Sequence, residues 1–131
     1  MILIDSNIPM YVVGGAHPNK AVAQHLLEKA LLDRQRLVTD AEVFQEILHR
    51  YISIHRPDAI QPAFDALLAL VDEVVAVDRE TVESAKQIVL AYRQMSARDA
   101  VHLAVMRQHG IDQILSFDNG FDQFPGITRL S

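Results

Sequence analysis

The stretch MILIDSN (residues 1–7) decides how the rest of the chain is read. Ile2-Leu3-Ile4 is an unbroken apolar run, too short for a helix and suited to a central strand covered on both faces. It runs straight into a carboxylate, Asp5, and two further polar residues, Ser6 and Asn7. In a parallel sheet, an acid in that position stands at the carboxyl edge, where such sheets bind their ligands.

Outward from this strand, helical and extended patterns alternate. Ser6 or Asn7 is placed to cap a helix with Pro9 in its first turn, which Gly14-Gly15 breaks. Residues 18–34 read as an amphipathic helix with Val22, Leu26, Leu27, Ala30 and Leu31 on one side. Leu37-Val38 is a brief strand. Thr39 or Asp40 then caps a helix reaching His55, with Phe44, Ile47, Leu48 and Tyr51 as its apolar stripe. Pro57 ends that helix and opens another as far as Leu70. Residues 73–77 form a strand, and Asp78 caps the helix that follows. Ser96 opens the helix SARDAVHLAVMRQH, closed by Gly110 at the position where left-handed geometry is common. Residues 113–117 make the next strand, and ITRL the last, after the turn-rich DNGFDQFPG. Strands separated by helices pair in parallel through right-handed crossovers, which predicts an α/β chain folded as a three-layer α/β/α sandwich with a mostly parallel central sheet.

The totals agree with that class. A chain of 131 residues, half of them apolar, suits one domain (1–131) with a single substantial core. There is no cysteine, which excludes disulfides and thiolate metal sites and fits a reducing cytoplasm. Neither a secretory signal nor a membrane span is expected, since no basic stretch precedes a long apolar run. The net charge of −5 argues against nucleic-acid binding by overall positive charge, yet allows a local acidic site loaded with a cation.

Taken one at a time, the acids have ordinary explanations. Asp5 reads as a helix cap or turn former. Glu46 lies roughly 60° from Val43 at the margin of its helix's apolar stripe, and Glu42 lies further out. Asp99 stands in a near capping-box arrangement with Ser96, although its helix is apolar almost all round and should be buried. Asp118 and Asp122 sit among Asn and Gly in what any turn would use. Together, two acids at strand ends and two on helices flanking the core can converge on one pocket. Clustered carboxylates repel and raise one another's pKa unless a cation neutralises them, and Mg²⁺ or Mn²⁺ is the natural partner for oxygen ligands. No histidine pair has a zinc-binding spacing. His102, one turn after Asp99, is expected to be a buried or hydrogen-bonded helix residue.

These segments resemble the PIN domain family. ILIDSNIPMY resembles its opening strand, VFQEILHRY its acidic central helix, SARDAVHLAVM its most recognisable segment, and ILSFDNGFDQFPGI its final strand and loop. They occur in family order over nearly the whole chain. The compact length resembles the VapC-like toxins of type II toxin–antitoxin pairs. The resemblance implies an endoribonuclease that uses Mg²⁺ or Mn²⁺ and leaves 5′-phosphate and 3′-hydroxyl ends on RNA. It assigns Asp5, Glu46, Asp99 and Asp118 to the acidic metal-binding set, Asn7 and Ser116 to polar positions beside it, and Asp122 to a less essential acid. Asn119-Gly120 departs from the charged pair more usual after the strand aspartate. Arg98 and Arg93 are candidate phosphate contacts, or solvated and helix-pairing residues. A cognate antitoxin and a homodimer are the implied partners, for which helices 18–34 and 40–70 offer apolar faces; core packing is the plainer use of those faces.

Other readings fit less well. An aspartate-nucleophile phosphatase needs an acid where Asn7 stands, a phosphoacceptor receiver needs a lysine after Lys86, and there is neither a P-loop nor GxGxxG. A catalytically idle PIN-like protein-binding module is the alternative from a different class.

Overall fold

The computed structural model describes residues 1–131. Strand β1 (Ile2–Ile4) is followed by α1 (Asn7–Val13), α2 (Pro18–Leu32), β2 (Leu37–Asp40) and α3 (Ala41–Ser53). A single 3-10 turn (Pro57–Ala59) leads into α4 (Ile60–Leu70), β3 (Glu73–Val75), α5 (Arg79–Ala91), α6 (Ala97–His109) and β4 (Gln113–Leu115). A second 3-10 turn (Asn119–Gln123) precedes β5 (Thr128–Leu130).

The five strands form one sheet in the order β3-β2-β1-β4-β5. Every pairing is parallel, with Leu3 opposite both Val38 and Ile114. The alternation of side chains along the strands divides the core in two. Leu3, Val38 and Ile114 point into a layer with Ile88, Leu103 and Phe121, against α5 and α6. Ile2, Ile4, Leu37 and Leu115 point the other way, onto Leu27, Ile47 and Leu67 of α2, α3 and α4. The result is the α/β/α sandwich expected from the alternating pattern. β1 is the central strand, and its three residues are at most 2% exposed, which is why an unbroken apolar run serves there.

The helix ends follow local chemistry. Asp40, Asp78 and Ser96 cap α3, α5 and α6 by accepting from the N–H groups of Val43, Thr81 and Asp99. Gly110 closes α6 at φ 65°, a left-handed position that glycine fills without strain.

Three local expectations differ from what is found. Ser6 has helical backbone angles and makes no capping bond to α1; the preceding Asp5 carboxylate accepts from the Ser6 N–H instead. On α2 the buried face is Ala23, Leu27 and Ala30, with Val22 and Leu31 exposed. On α3, Leu48 is likewise exposed, while Val43, Ile47 and Tyr51 are buried. No helix is long and apolar enough to cross a membrane.

Candidate active site

The order of the strands reverses at β1, which is flanked by β2 on one side and β4 on the other. A crevice opens beyond the strands at such a switch point. Asp5 follows β1, and its N–H donates to the Leu115 carbonyl, continuing the β1–β4 ladder by one residue. The rigid ladder therefore fixes where the carboxylate emerges. Ser116 Oγ donates to Asp5 Oδ2 at 2.5 Å, and the Ser6 N–H donates to Oδ1 at 2.7 Å. Asn7 Nδ2 reaches both Asp5 Oδ2 and Ser116 Oγ, at 3.4 and 3.3 Å, while its Oδ1 accepts from the Phe117 N–H.

Asp5, Glu46, Asp99 and Asp118 line one cleft of about 210 Å³, joined by Ser6, Asn7, Ser96 and Arg98, with no apolar residue in its wall. The structure thus brings together all four acids that the sequence pattern singled out. Glu46 and Asp5 are buried, Asp99 is half-buried and Asp118 is exposed. No Lys or Arg pairs with any of the four; the arginine ion pairs all lie elsewhere. Burial pushes the Asp5 carboxyl up, aided by the Glu46 charge, against the His102 charge and the hydrogen bonds from Ser116 and the Ser6 N–H. Asp99 is pushed up to about 7, first by burial and then by the charges of Asp118 and Asp5.

Gly120 closes the rim. Its N–H donates to Asp118 Oδ1 at 2.9 Å. A Cβ at this position would stand 3.1 Å from Asp118 Oδ1 and 3.3 Å from Asp99 Oδ2. The Asn119-Gly120 departure therefore has a local reason, since the glycine lets the loop pass close beneath two carboxylates.

Behind the cleft lies a feature that periodicity alone does not disclose. His102 is fully buried, with Nδ1 2.7 Å from Asp40 Oδ2 and Nε2 2.8 Å from Glu46 Oε1. Desolvation alone would lower its pKa; the charge and hydrogen bond of Asp40, the bond to Glu46 and the charge of Asp5 outweigh it and raise the pKa well above the ordinary value. An imidazole facing carboxylates through both nitrogens satisfies both only as the doubly protonated cation. Asp5, Glu46 and His102 do present ligand-type atoms within 4.8 Å of one another. Both nitrogens of His102 are already engaged, however, so this residue is a counter-ion to the acids rather than a metal ligand. The expectation of a buried, hydrogen-bonded histidine is met, and the residue touches the site as well. Asp40 was legible only as a cap. Its Oδ1 does cap α3, while Oδ2 holds His102; its place at the end of β2, beside β1, was the available signal.

Residues 2–127 match the model of the PIN domain family. The chain belongs to that family. This PIN domain is 60% identical over 131 residues to ribonuclease VapC13 of Mycobacterium tuberculosis, with the whole of both chains covered. Among solved structures it is similar to VapC20 of Mycobacterium tuberculosis, described as a sarcin-ricin loop cleaving toxin, with a TM-score of 0.77 and 21% identity over 97% of this chain and 98% of that one. It is also similar to VapBC2 from Rickettsia felis, solved bound to a DNA fragment from their promoter, with a TM-score of 0.75 and 12% identity over 99% and 98% of the two chains. These two likenesses concern the fold.

Two sequence candidates stand apart from the cleft in this PIN domain. Asp122 is exposed and held in a two-pronged ion pair, with Arg129 Nε and an Nη each 2.9 Å from a carboxylate oxygen. That pair holds its carboxyl below the usual range. Arg98 lines the cleft, whereas the exposed Arg93 does not.

Proposed function

We propose that this PIN domain is a metal-dependent endoribonuclease of the VapC kind, the toxin member of a toxin–antitoxin pair. The observation that carries the proposal is the set of four carboxylates around one cleft, none of them in an ion pair with a Lys or Arg, with Asp99 pushed up to about 7 by burial and by the charges of Asp118 and Asp5. An all-oxygen donor set of this kind fits a hard divalent ion, Mg²⁺ or Mn²⁺. Asp5 and Asp99 would hold it directly, with Glu46 and Asp118 completing the set. When bound, the ion supplies positive charge to the phosphate and a lowered pKa to water.

The remaining chemistry belongs to the chain. Ser116, Asn7 and the Ser6 N–H fix the rotamer of Asp5. His102 holds Glu46 by Oε1, leaving the other oxygen to orient the attacking water and take its proton. Water oxygen bonds to phosphorus as the bond to the in-line 3′ oxygen breaks, and that oxygen takes a proton from solvent water and leaves as a hydroxyl, giving 5′-phosphate and 3′-hydroxyl ends. Arg98 contacts the phosphate. The name of the 60% identical relative, a ribonuclease, supports RNA as the substrate.

The antitoxin reading is supported by a second surface. Leu31 and Leu32 of α2 and Leu68 of α4 are exposed, and Leu31 borders a cleft whose apolar wall includes Val12, Leu27 and Leu70. An apolar segment of a small antitoxin would cover it, and a homodimer is the competing use. Purification of the protein made together with its operon neighbour, followed by a mass measurement, separates the two.

Cleavage is tested with single-stranded and structured RNA in Mn²⁺ or EDTA, beside Asp5→Asn and Asp99→Asn. The proposal expects cleavage in Mn²⁺ alone, and only by the wild type. Cleavage that survives EDTA, or survives both substitutions, removes the mechanism.

A further inference from the structure

A second depression adjoins the acidic cleft and shares a wall with it. Asn7 lines both. The depression, about 400 Å³, lies between α1, the glycine turn after it and the end of α3. Tyr11 and His17 pack there as a tilted pair, with ring centroids 4.8 Å apart and 37° between their planes, and Tyr51 and Arg50 face them from α3. Tyr11 is braced from the other side by an edge contact with Phe117, the residue before Asp118. The rings are thus tied to the same loop that carries an acid of the cleft. His17 is held too, because its Nδ1 accepts from the Asn19 N–H and caps α2.

Charge adds direction. Arg50 is exposed and has no carboxylate partner, unlike Arg36, Arg56, Arg79 and Arg129. Arg98, in the acidic cleft, is also unpaired. In a chain of net charge −5, one guanidinium without a carboxylate partner in the acidic cleft and another in the depression beside it mark a path along which a polyanion can lie.

We infer that the Tyr11–His17–Arg50 depression is a nucleobase subsite, which takes the base of one nucleotide flanking the scissile phosphate while Arg50 contacts the next phosphate. Preformed aromatic faces beside a free cation are what single-stranded nucleic acid uses, because every base has a π-face to stack. Asn7, shared by the two cavities, sets the spacing between base and scissile bond. The inference rests on the ribonuclease reading above and adds to it a requirement for an unpaired base next to the cut. A peptide segment of a protein partner is the other class of occupant, less favoured because Asn7, His17 and Arg50 interrupt the apolar wall that Met10, Tyr51 and Ile54 supply.

The experiment uses the full chain with Mn²⁺ and a short single-stranded oligoribonucleotide that it cleaves. The same oligonucleotide is prepared with an abasic ribonucleotide on either side of the scissile phosphate. His17→Asn removes a ring and retains a side-chain acceptor to cap α2; Tyr11→Leu removes the other ring and keeps apolar bulk. Removing the base on one side should lower kcat/KM by roughly 5- to 150-fold in the wild type, the range expected for loss of one stacked base. The ring variants should show a similar loss on the intact oligonucleotide and little further loss on the abasic one. Arg50→Gln should raise KM and flatten the salt dependence by about one phosphate contact. Equal cleavage of intact and abasic oligonucleotides by the wild type overturns the subsite while leaving the nuclease intact. So do ring variants that cleave like wild type but release a protein partner. A wild type that cleaves no RNA at all overturns the underlying ribonuclease reading, and the subsite with it. Melting curves of each variant separate a lost contact from a lost fold.

Discussion

Replacing His102 by Gln tests the buried cation directly. In the native protein each ring nitrogen faces a carboxylate, at 2.7 Å for Asp40 and 2.8 Å for Glu46, in a place with no exposure. Glutamine carries no charge and presents an oxygen to one of the two acids. Removing one partner from a buried ionic group costs about 3–5 kcal/mol. For a chain of 131 residues, an unfolding entropy of about 2.1 cal/mol/K per residue converts this into a Tm drop of about 11–18 °C. The sign of the pH dependence is also fixed. The folded pKa of His102 is raised above its unfolded value, so its stabilising contribution is complete below about pH 6.5 and is lost as pH rises through the folded value. The gap between wild type and variant should therefore be widest near pH 6.5 and shrink toward pH 9, by at most about 1.4 kcal/mol per pH unit. Thermal melts of both proteins at pH 6.5, 7.5 and 9 measure it, with His102→Gln/Asp40→Asn as the compensating double variant. A Tm loss under about 4 °C, or a gap that widens with pH, would show that the imidazole is a neutral spacer and that the charge argument is wrong.

Further outcomes follow from the same geometry. In metal-free protein, Asp99 is raised to about 7, so its contribution to stability is present at acid pH and fades as pH rises through that value. Asp99→Asn should flatten the stability profile between about pH 4 and 7, as read by melts across that range. Mn²⁺ should raise the Tm of the wild type in proportion to the logarithm of its concentration, and fail to do so in Asp5→Asn and Asp99→Asn; differential scanning fluorimetry decides. Gly120→Ala brings a Cβ within 3.1–3.3 Å of two carboxylate oxygens, so RNA cleavage should fall by roughly tenfold while the Tm changes little. Asp122→Asn breaks only an exposed pair with Arg129, so cleavage should stay at the wild-type rate with a near-native melting curve.

The fold was legible where the determinants are local. Ile2-Leu3-Ile4 announced a covered strand, Asp40, Asp78 and Ser96 announced helix starts, and Gly110 a helix end. Each depends on neighbours within a few residues. The convergence of Asp5 and Asp118 was legible as well, because parallel topology sends strand ends to one edge. The face of α2 was not. Its apolar residues surround much of the helix, so periodicity could not tell that Ala23 would be buried and Val22 and Leu31 exposed; the sheet and α1 made that choice. His102 was legible as buried but not as a bridge, since its partners lie 62 and 56 positions away in the chain. The capping role of Asp40 concealed its second oxygen, and Asp122 could not be told from a cleft acid until Arg129 was seen to hold it.

The bond from Ser116 to Asp5 also has a consequence for biosynthesis. The two residues are 111 positions apart, and β1 needs β4 beside it before that carboxylate has an orientation. At about 5–20 residues per second, the ribosome makes Asp5 some 6–22 s before Ser116 exists. His102 and Asp99 are likewise late arrivals. A nascent chain therefore carries its first acid through the synthesis of the next 111 residues without a working cleft around it. A nuclease built in this order stays silent toward the message being translated until β4 and Ser116 have been made.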